Sequence, residues 1–285
     1  MGVYKNYIFD LYGTLLDIRT DERRAECWKI MRDFYAVYGC AWEPDPLREA
    51  FFRLDAAERR RLAALTGVER PEIRIERVFA GLLFEGERHR SCSLAIAGRG
   101  LDSLRKRYRE DTEEVLAAVA GSEWAAACAN LFRTASREYI RPYPNTAATL
   151  RALREKGCRL FLLSNAQRIF TMPEIELFGL QELLDGIYIS SDCGVMKPEP
   201  AFLNRLMTEE GLDPEETVLV GNEIGSDIAA AAGGGIRSIF LNTFGLGEEE
   251  TESRIAEVLR AWKAPDGLAP RIIRSGDIGE ILADR

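Results

Sequence analysis

Four apolar runs in this chain stop abruptly at residues able to do chemistry. The run 7–9 ends at Asp10-Leu11-Tyr12-Gly13-Thr14, and 160–163 ends at Ser164-Asn165. Val195-Met196-Lys197-Pro198 follows a strand-like stretch at 186–190, and 217–220 runs into Gly221-Asn222-Glu223-Ile224-Gly225-Ser226-Asp227. Open α/β sheets take their ligands outside the carboxyl ends of the strands, so four such ends point to one site. A carboxylate placed there, Asp10, can attack phosphorus or carbon and form a covalent aspartyl intermediate that water cleaves. Thr14, just past the turn, is placed to orient it. Ser164 and Asn165 can donate hydrogen bonds to the transferring group without adding charge. Lys197, in a loop stiffened by Pro198 and Pro200, supplies a cation that relieves repulsion between an anionic nucleophile and an anionic group. Glu223 and Asp227, four apart, share a face if a helix starts there. With Asp10 and a backbone carbonyl they form the oxygen-rich set that Mg²⁺ uses.

In order, spacing and strand context, these four segments resemble the haloacid dehalogenase-like hydrolase superfamily, whose motifs are an Asp nucleophile, a Ser or Thr, a Lys and an acidic metal site. The resemblance spans roughly the whole chain. It implies a Rossmann-like core, a helical cap inserted after the nucleophile, and Mg²⁺ held by Asp10, the Tyr12 backbone carbonyl, Asn222, Glu223 and Asp227. Phosphatases of the family usually carry a second Asp two residues after the nucleophile as general acid and base. Here Tyr12 stands at that position. The metal motif usually begins Gly-Asp, where this chain has Gly221-Asn222-Glu223. Tyr12 and Glu223 thus become candidates for substrate contact or proton transfer.

The Asp-x-Tyr-Gly-Thr form is similar to that of the family's 2-haloacid dehalogenases, which need no acid for a halide leaving group and no metal. Those enzymes resemble Ser-x-Asn-x-x-Asp in their last motif, whereas the spacing from Asn222 to Asp227 is the longer, phosphatase-like one. They also take halide on an Arg of the early cap, for which Arg19, Arg23, Arg24 and Arg32 are available. The reading is a Mg²⁺-dependent phosphatase acting on a small phosphorylated metabolite through an aspartyl-phosphate. A dehalogenase-like hydrolase is the alternative, and a weakly catalytic ligand-binding member is the third.

The rest of the composition narrows the chemistry. A net charge of −8 argues against nucleic acid or an anionic membrane surface as partner. No run reaches the roughly 20 apolar residues of a membrane span and no signal-peptide core is evident, so the expectation is a soluble, cytoplasmic protein acting on a small molecule. His89, the single histidine, lies in a charged turn and leaves no room for Ser-His-Asp, Cys-His or multi-histidine zinc chemistry. Cys27, Cys40, Cys92, Cys128, Cys158 and Cys193 show no Cys-x-x-Cys spacing and read as small buried hydrophobes. Cys193 is the one near the Lys197 motif.

Chemistry of this kind needs elements to hold it, and 285 residues with 46% hydrophobic content suffice for two domains. Apolar residues recur at spacings of three and four through 22–38, 46–65, 70–84, 102–119 and 123–139, which predicts an all-helical cap over 18–140. Hinges fall at 16–19 and 140–142. The alternation of helices and strands elsewhere predicts an α/β core of 1–17 and 141–285 with a doubly wound parallel sheet. Its strands, 158–164, 186–190, 217–220, 238–242 and 271–274, are apolar throughout, as strands covered on both faces are.

Overall fold

The computed structural model describes residues 4–87 and 94–283, so His89 and Cys92 lie outside the described residues. The chain divides into two compact units, 1–18 with 69–72 and 140–285, and 19–68 with 73–139.

The first unit is built on a six-stranded parallel sheet. Its strands are β1 (Asn6–Phe9), β6 (Arg159–Ser164), β7 (Gly186–Ile189), β8 (Thr217–Gly221), β9 (Arg237–Leu241) and β10 (Arg271–Ile273), in the order β10-β9-β8-β1-β6-β7. β1 lies between β6 and β8, with Phe9 in register with Leu162 on one side and Val220 on the other. The register therefore brings Asp10, Ser164 and Gly221 to neighbouring strand ends. Alternate residues face alternate layers. Tyr7, Phe9, Leu160, Leu162, Val218 and Val220 pack in one cluster with Leu150 and Leu153 of α7 (Thr146–Glu155). On the other side Phe240 packs with Ile228 and with Ile255 of α12 (Glu248–Ala261). This is the doubly wound α/β architecture that the unbroken apolar strands predict.

The second unit is mainly helical and has its own aromatic core, but it is not all-helical as expected, because β3 (Ala95–Ile96) and β4 (Arg99–Gly100) form a short antiparallel pair within it. It holds α1 (Ala25–Val37), α2 (Pro44–Thr66), α3 (Ile75–Glu85), α4 (Leu101–Glu110), α5 (Thr112–Ala120) and α6 (Glu123–Ser136). Trp28, Phe51, Phe79 and Phe132 are fully buried, with ring centroids of Phe51 and Phe132 5.1 Å apart and of Trp28 and Phe51 5.2 Å apart. The Tyr35 hydroxyl, also buried, donates to the Phe79 carbonyl at 2.9 Å. Among the described residues no single helix is long and apolar enough to cross a membrane. The bent pair α5–α6 is apolar, and Val115, Val119, Trp124, Cys128 and Phe132 of that pair are buried in this unit.

The helix pattern departs from the expectation at three places, each with a local cause. The predicted helix 102–119 is two helices, because Asp111 ends α4 and caps α5 by accepting the Glu114 N–H at 3.0 Å. The predicted helix 123–139 stops at Ser136, and β5 (Arg137–Pro142) pairs with β2 (Leu16–Thr20) as a two-stranded ribbon where hinges were expected. Finally, the predicted helix 70–84 begins only at Ile75. Pro71 disfavours a helical Arg70, and Pro71 instead bridges Val195 antiparallel, which places Glu69–Glu72 in the first unit.

Leu162 is fully buried in the larger cluster. Leu162→Ala is expected to lower unfolding free energy by roughly 2–5 kcal/mol, the range for such cavities. Denaturant melts of the two proteins measure this, and a loss below about 1 kcal/mol would show that the sheet core does not close around this position.

Candidate active site

The first strand stops at Asp10 because the chain must turn there. The Asp10 N–H still pairs with the Val220 carbonyl at 2.9 Å, and the N–H groups of Leu15 and Leu16 both return to the Leu11 carbonyl, at 2.8 and 2.9 Å. Gly13 makes the turn at φ +85°, a conformation that favours glycine. A Cβ there would also lie 2.3 Å from Asn222 Nδ2. The Thr14 hydroxyl donates to Asn222 Oδ1 at 3.2 Å, so Thr14 ties the first and last motifs together rather than orienting Asp10 directly. Thr243, which lies outside the four motifs, fixes the same turn by donating to the Gly13 carbonyl at 2.6 Å.

Lys197 joins three of the four strand ends. Its Nζ donates to Asp10 Oδ1 and to Asp227 Oδ1, each at 2.7 Å, with Lys197 2%, Asp10 8% and Asp227 1% exposed. Burial raises the Asp10 carboxyl to about 6, against the pull of the Lys197 ammonium and with help from the like charge of Asp227. Burial also works against the ammonium, but the two carboxylates outweigh it and hold Lys197 well above the ordinary lysine value.

Asn165 stands elsewhere than expected. Its carboxamide is committed to the Lys197 peptide, Nδ2 donating to the carbonyl at 2.9 Å and Oδ1 accepting from the N–H at 2.7 Å. It therefore holds the lysine. Ser164 is 1% exposed and its Oγ has no hydrogen-bond partner within the protein. A buried hydroxyl left unpaired costs free energy, and at a strand end beside Asp10 it is a ready donor for a bound group.

The last motif corrects the expected helix face. Ile224–Ile228 forms one wide π-helical turn ahead of α11 (Ala229–Gly234), and such turns recur at functional sites. The turn leaves Glu223 exposed and turns Asp227 inward, where its Oδ2 accepts the Glu223 N–H at 2.9 Å. Gly221 permits this approach, because a Cβ there would lie 2.2 Å from Asp227 Oδ2. Partial desolvation, and next the charge of Asp227, raise the Glu223 carboxyl above its usual value.

Tyr12 is directed away from the acid role. Its hydroxyl donates to Glu174 Oε2 and lies 3.2 Å from Thr171 Oγ1, both on α8 (Arg168–Leu177). Glu174 is buried; nothing in the local sequence pattern announces it, because its partner is 162 residues away.

Among the described residues no group of three or more His, Cys, Asp or Glu gathers into a metal cage. The donors that do converge still suit a hard cation. Asp10 and Asp227 are two buried carboxylates sharing one ammonium, and Asn222 adds a neutral buried oxygen. Oxygen-only donors with surplus negative charge are what Mg²⁺ selects. Cys27, Cys40, Cys128 and Cys158 are buried, and Cys193, half-buried, meets Arg205 at 3.4 Å. In the second unit Arg19 pairs with Glu138, Arg32 with Asp33, and Arg23 lies 4.3 Å from the centroid of the Phe52 ring, while Arg24 precedes α1.

Known proteins share sequence and fold with this chain. The chain is 33% identical over 104 residues to a glyceraldehyde 3-phosphate phosphatase of Methanothermobacter thermautotrophicus, 36% of this chain and 46% of that protein. It is 28% identical over 205 residues to a phosphoserine phosphatase of Thermus thermophilus, 66% of this chain and 75% of that protein. It spans about half the length of the first curated relatives it matches. In three dimensions it is similar to a 2-haloacid dehalogenase of Pseudomonas syringae pv. Tomato DC3000, with a TM-score of 0.57 at 20% identity over 98% of both chains, a likeness of fold. The model of the haloacid dehalogenase-like hydrolases matches residues 4–235. With its nucleophile candidate, lysine and acidic turn brought together at the strand ends, the chain belongs to the haloacid dehalogenase-like hydrolase family.

Proposed function

We propose that this hydrolase is a Mg²⁺-dependent phosphatase of small phosphorylated metabolites, acting through an aspartyl-phosphate on Asp10, with residues 18–140 serving as its cap. The observation that carries this reading is the buried Lys197 ammonium shared by Asp10 and Asp227, with the unpaired Ser164 hydroxyl at the end of β6, the strand next to β1. A cation already seated on the nucleophile can accept the negative charge of a phosphoryl group. An oxygen of Asp10 bonds to phosphorus as the bond to the leaving oxygen breaks, with Ser164 donating to a phosphoryl oxygen. Water then attacks the aspartyl-phosphate, releasing inorganic phosphate and restoring Asp10. Asn165, through the Lys197 backbone, keeps the ammonium in place. A Mg²⁺ ion held by Asp10, Asp227, Asn222 and the Tyr12 carbonyl would neutralise phosphoryl charge. Glu223, raised and exposed beside the turn, is the group of this unit best suited to move a proton.

One observation favours a second reading. Because the Tyr12 hydroxyl is bound to Glu174 and Thr171, the usual acid position offers no carboxyl to the leaving group. A halide needs none. Halide release from a 2-haloacid in the presence of chelator, without phosphate release in Mg²⁺, would establish this reading over the first.

A panel of phosphate esters assayed with Mg²⁺ and with chelator tests the proposal, and Asp10→Asn should lose several orders of magnitude in kcat with an unchanged melting curve. More than a tenth of wild-type turnover would remove Asp10 from the role of nucleophile.

The pH profile has a definite sign. Asp10 must be ionised to attack, and burial lifts its carboxyl to about 6. Activity is therefore expected to rise with pH through about 6 and to level above it. A divalent cation beside the carboxylate favours the ionised form, so saturating Mg²⁺ should shift this acid limb to lower pH. Asp227→Asn should abolish both that shift and any Mg²⁺-induced rise in melting temperature. A limb indifferent to Mg²⁺ argues for the metal-free reading.

Leaving-group dependence reads the role of Tyr12. Without a carboxylic acid at that position, rates across a series of phosphate esters should fall steeply as leaving-group pKa rises. Tyr12→Phe should keep the same slope, since its hydroxyl serves Glu174. A steeper slope in the variant would identify the phenol as the acid after all.

A further inference from the structure

Glu72 is a buried carboxylate, 4% exposed, that the chemistry above does not use. It arrives from the long insertion between β2 and β5, in the stretch Glu69–Glu72 that groups with the first unit. The stretch lies antiparallel to the chain just before the catalytic lysine candidate. The Glu72 N–H donates to the Gly194 carbonyl at 3.1 Å, the Met196 N–H donates to the Arg70 carbonyl at 3.4 Å, and Pro71 bridges Val195. Pro71 has no N–H to lose in such a pairing and keeps Arg70 extended.

The side chain extends the tie to a second loop. Glu72 Oε1 accepts from Gln167 Nε2 at 3.0 Å, and Oε2 accepts from Ser190 Oγ at 3.1 Å. Ser190 Oγ in turn accepts the Ala166 N–H at 2.9 Å. Gln167 and Ala166 directly follow Ser164-Asn165, and Ser190 and Gly194 precede Lys197. Glu72 thus holds together the two loops that carry the second and third motifs. Asn165 holds the same two loops by its paired hydrogen bonds to the Lys197 peptide.

We propose that Glu72 is a positioning residue, acting through Ser190, Gln167 and the Gly194 carbonyl to fix the Lys197 backbone so that the ammonium meets Asp10 and Asp227 together. The proposal rests on the assignment of Lys197 to the reaction. The physical reason is the length of the lysine side chain. Four methylenes give the ammonium freedom, so bonds of 2.7 Å to two acids at once demand a backbone held in one place. Displacements of about 1 Å at such groups cost up to a hundredfold in rate. Removing Glu72 also leaves Ser190 and Gln167 without an acceptor they now have. Glu72→Gln keeps one carboxamide oxygen as acceptor, and the Ser190 hydroxyl can turn to accept from its NH₂.

Two measurements test this. With 4-nitrophenyl phosphate and Mg²⁺, Glu72→Ala should lower kcat about ten- to a hundredfold with little change in KM, and Glu72→Gln should recover most of the loss. Hydrogen exchange followed by mass spectrometry should show faster exchange in 164–167 and 190–197 of Glu72→Ala, with β8 unchanged. Ser190→Ala, which leaves the backbone pairing in place, should quicken exchange in the same two stretches and serves if Glu72→Ala does not fold. Exchange confined to wild-type rates in both variants overturns the proposal, as does a uniform rise across the whole chain, which marks plain destabilisation. If the wild-type protein releases no phosphate, the phosphatase reading falls, and the exchange experiment still decides whether Glu72 holds the lysine loop.

Discussion

The shared ammonium of Lys197 is the interaction on which the site depends. Two carboxylates buried side by side repel strongly, and each has given up its hydration. One lysine compensates both. Removing it leaves two uncompensated acids in the interior, a cost of several kcal/mol where a single partner of a buried pair is lost. The strand ends are consequently coupled: Asp10 comes from β1, Asp227 from the turn after β8, and Lys197 from the loop after β7. The register of these parallel strands, with Phe9 opposite both Leu162 and Val220, sets Asp10 next to the end of β8 from which the Asp227 turn departs.

Around that centre most polar contacts serve to fix backbone. Thr14 and Thr243 hold the Gly13 turn, Asn165 holds the lysine peptide, and Asp227 holds the Glu223 N–H. Rigid support of this sort keeps charged groups preorganised so that little reorganisation is needed during reaction. Ser164 is the exception, a buried hydroxyl with no partner, and unsatisfied groups of this type gather where a ligand completes them. Two glycines, Gly13 and Gly221, mark where backbone and side chain approach too closely for a Cβ.

Tyr12 draws on the fold well beyond its own turn. A tyrosine ring needs space and a hydroxyl partner, and the structure supplies both, with Tyr12 packed against the main core cluster and bonded to Glu174 on α8. A carboxylate at that position could not reach as far. Thr171 joins the same contact and returns to the Gln167 carbonyl at 2.9 Å, adjacent to the Glu72 tie. Thr171 in the first turn of α8 therefore meets the nucleophile turn, and Gln167 just before that turn meets the stretch 69–72.

The sequence by itself determined the strands of the main sheet, because runs such as Leu160-Phe161-Leu162-Leu163 are apolar on both faces and end at polar turns. It also determined which residues stand at the strand ends, and the four motifs were legible for that reason. Tertiary structure decided what those residues touch. The carboxamide of Asn165, the hydroxyl of Thr14 and the phenol of Tyr12 each found partners between 32 and 208 residues away, beyond any local periodicity. Glu223 and Asp227 were separated by a π-helical turn that four-residue spacing does not reveal. The stretch Glu69–Glu72 carried a signal, Pro71, against its helix, but only the fold could supply Gly194 and Met196 as the edge on which it pairs. Spacing along a chain fixes which face a residue takes, whereas the choice of partner depends on which surfaces the packed elements bring together.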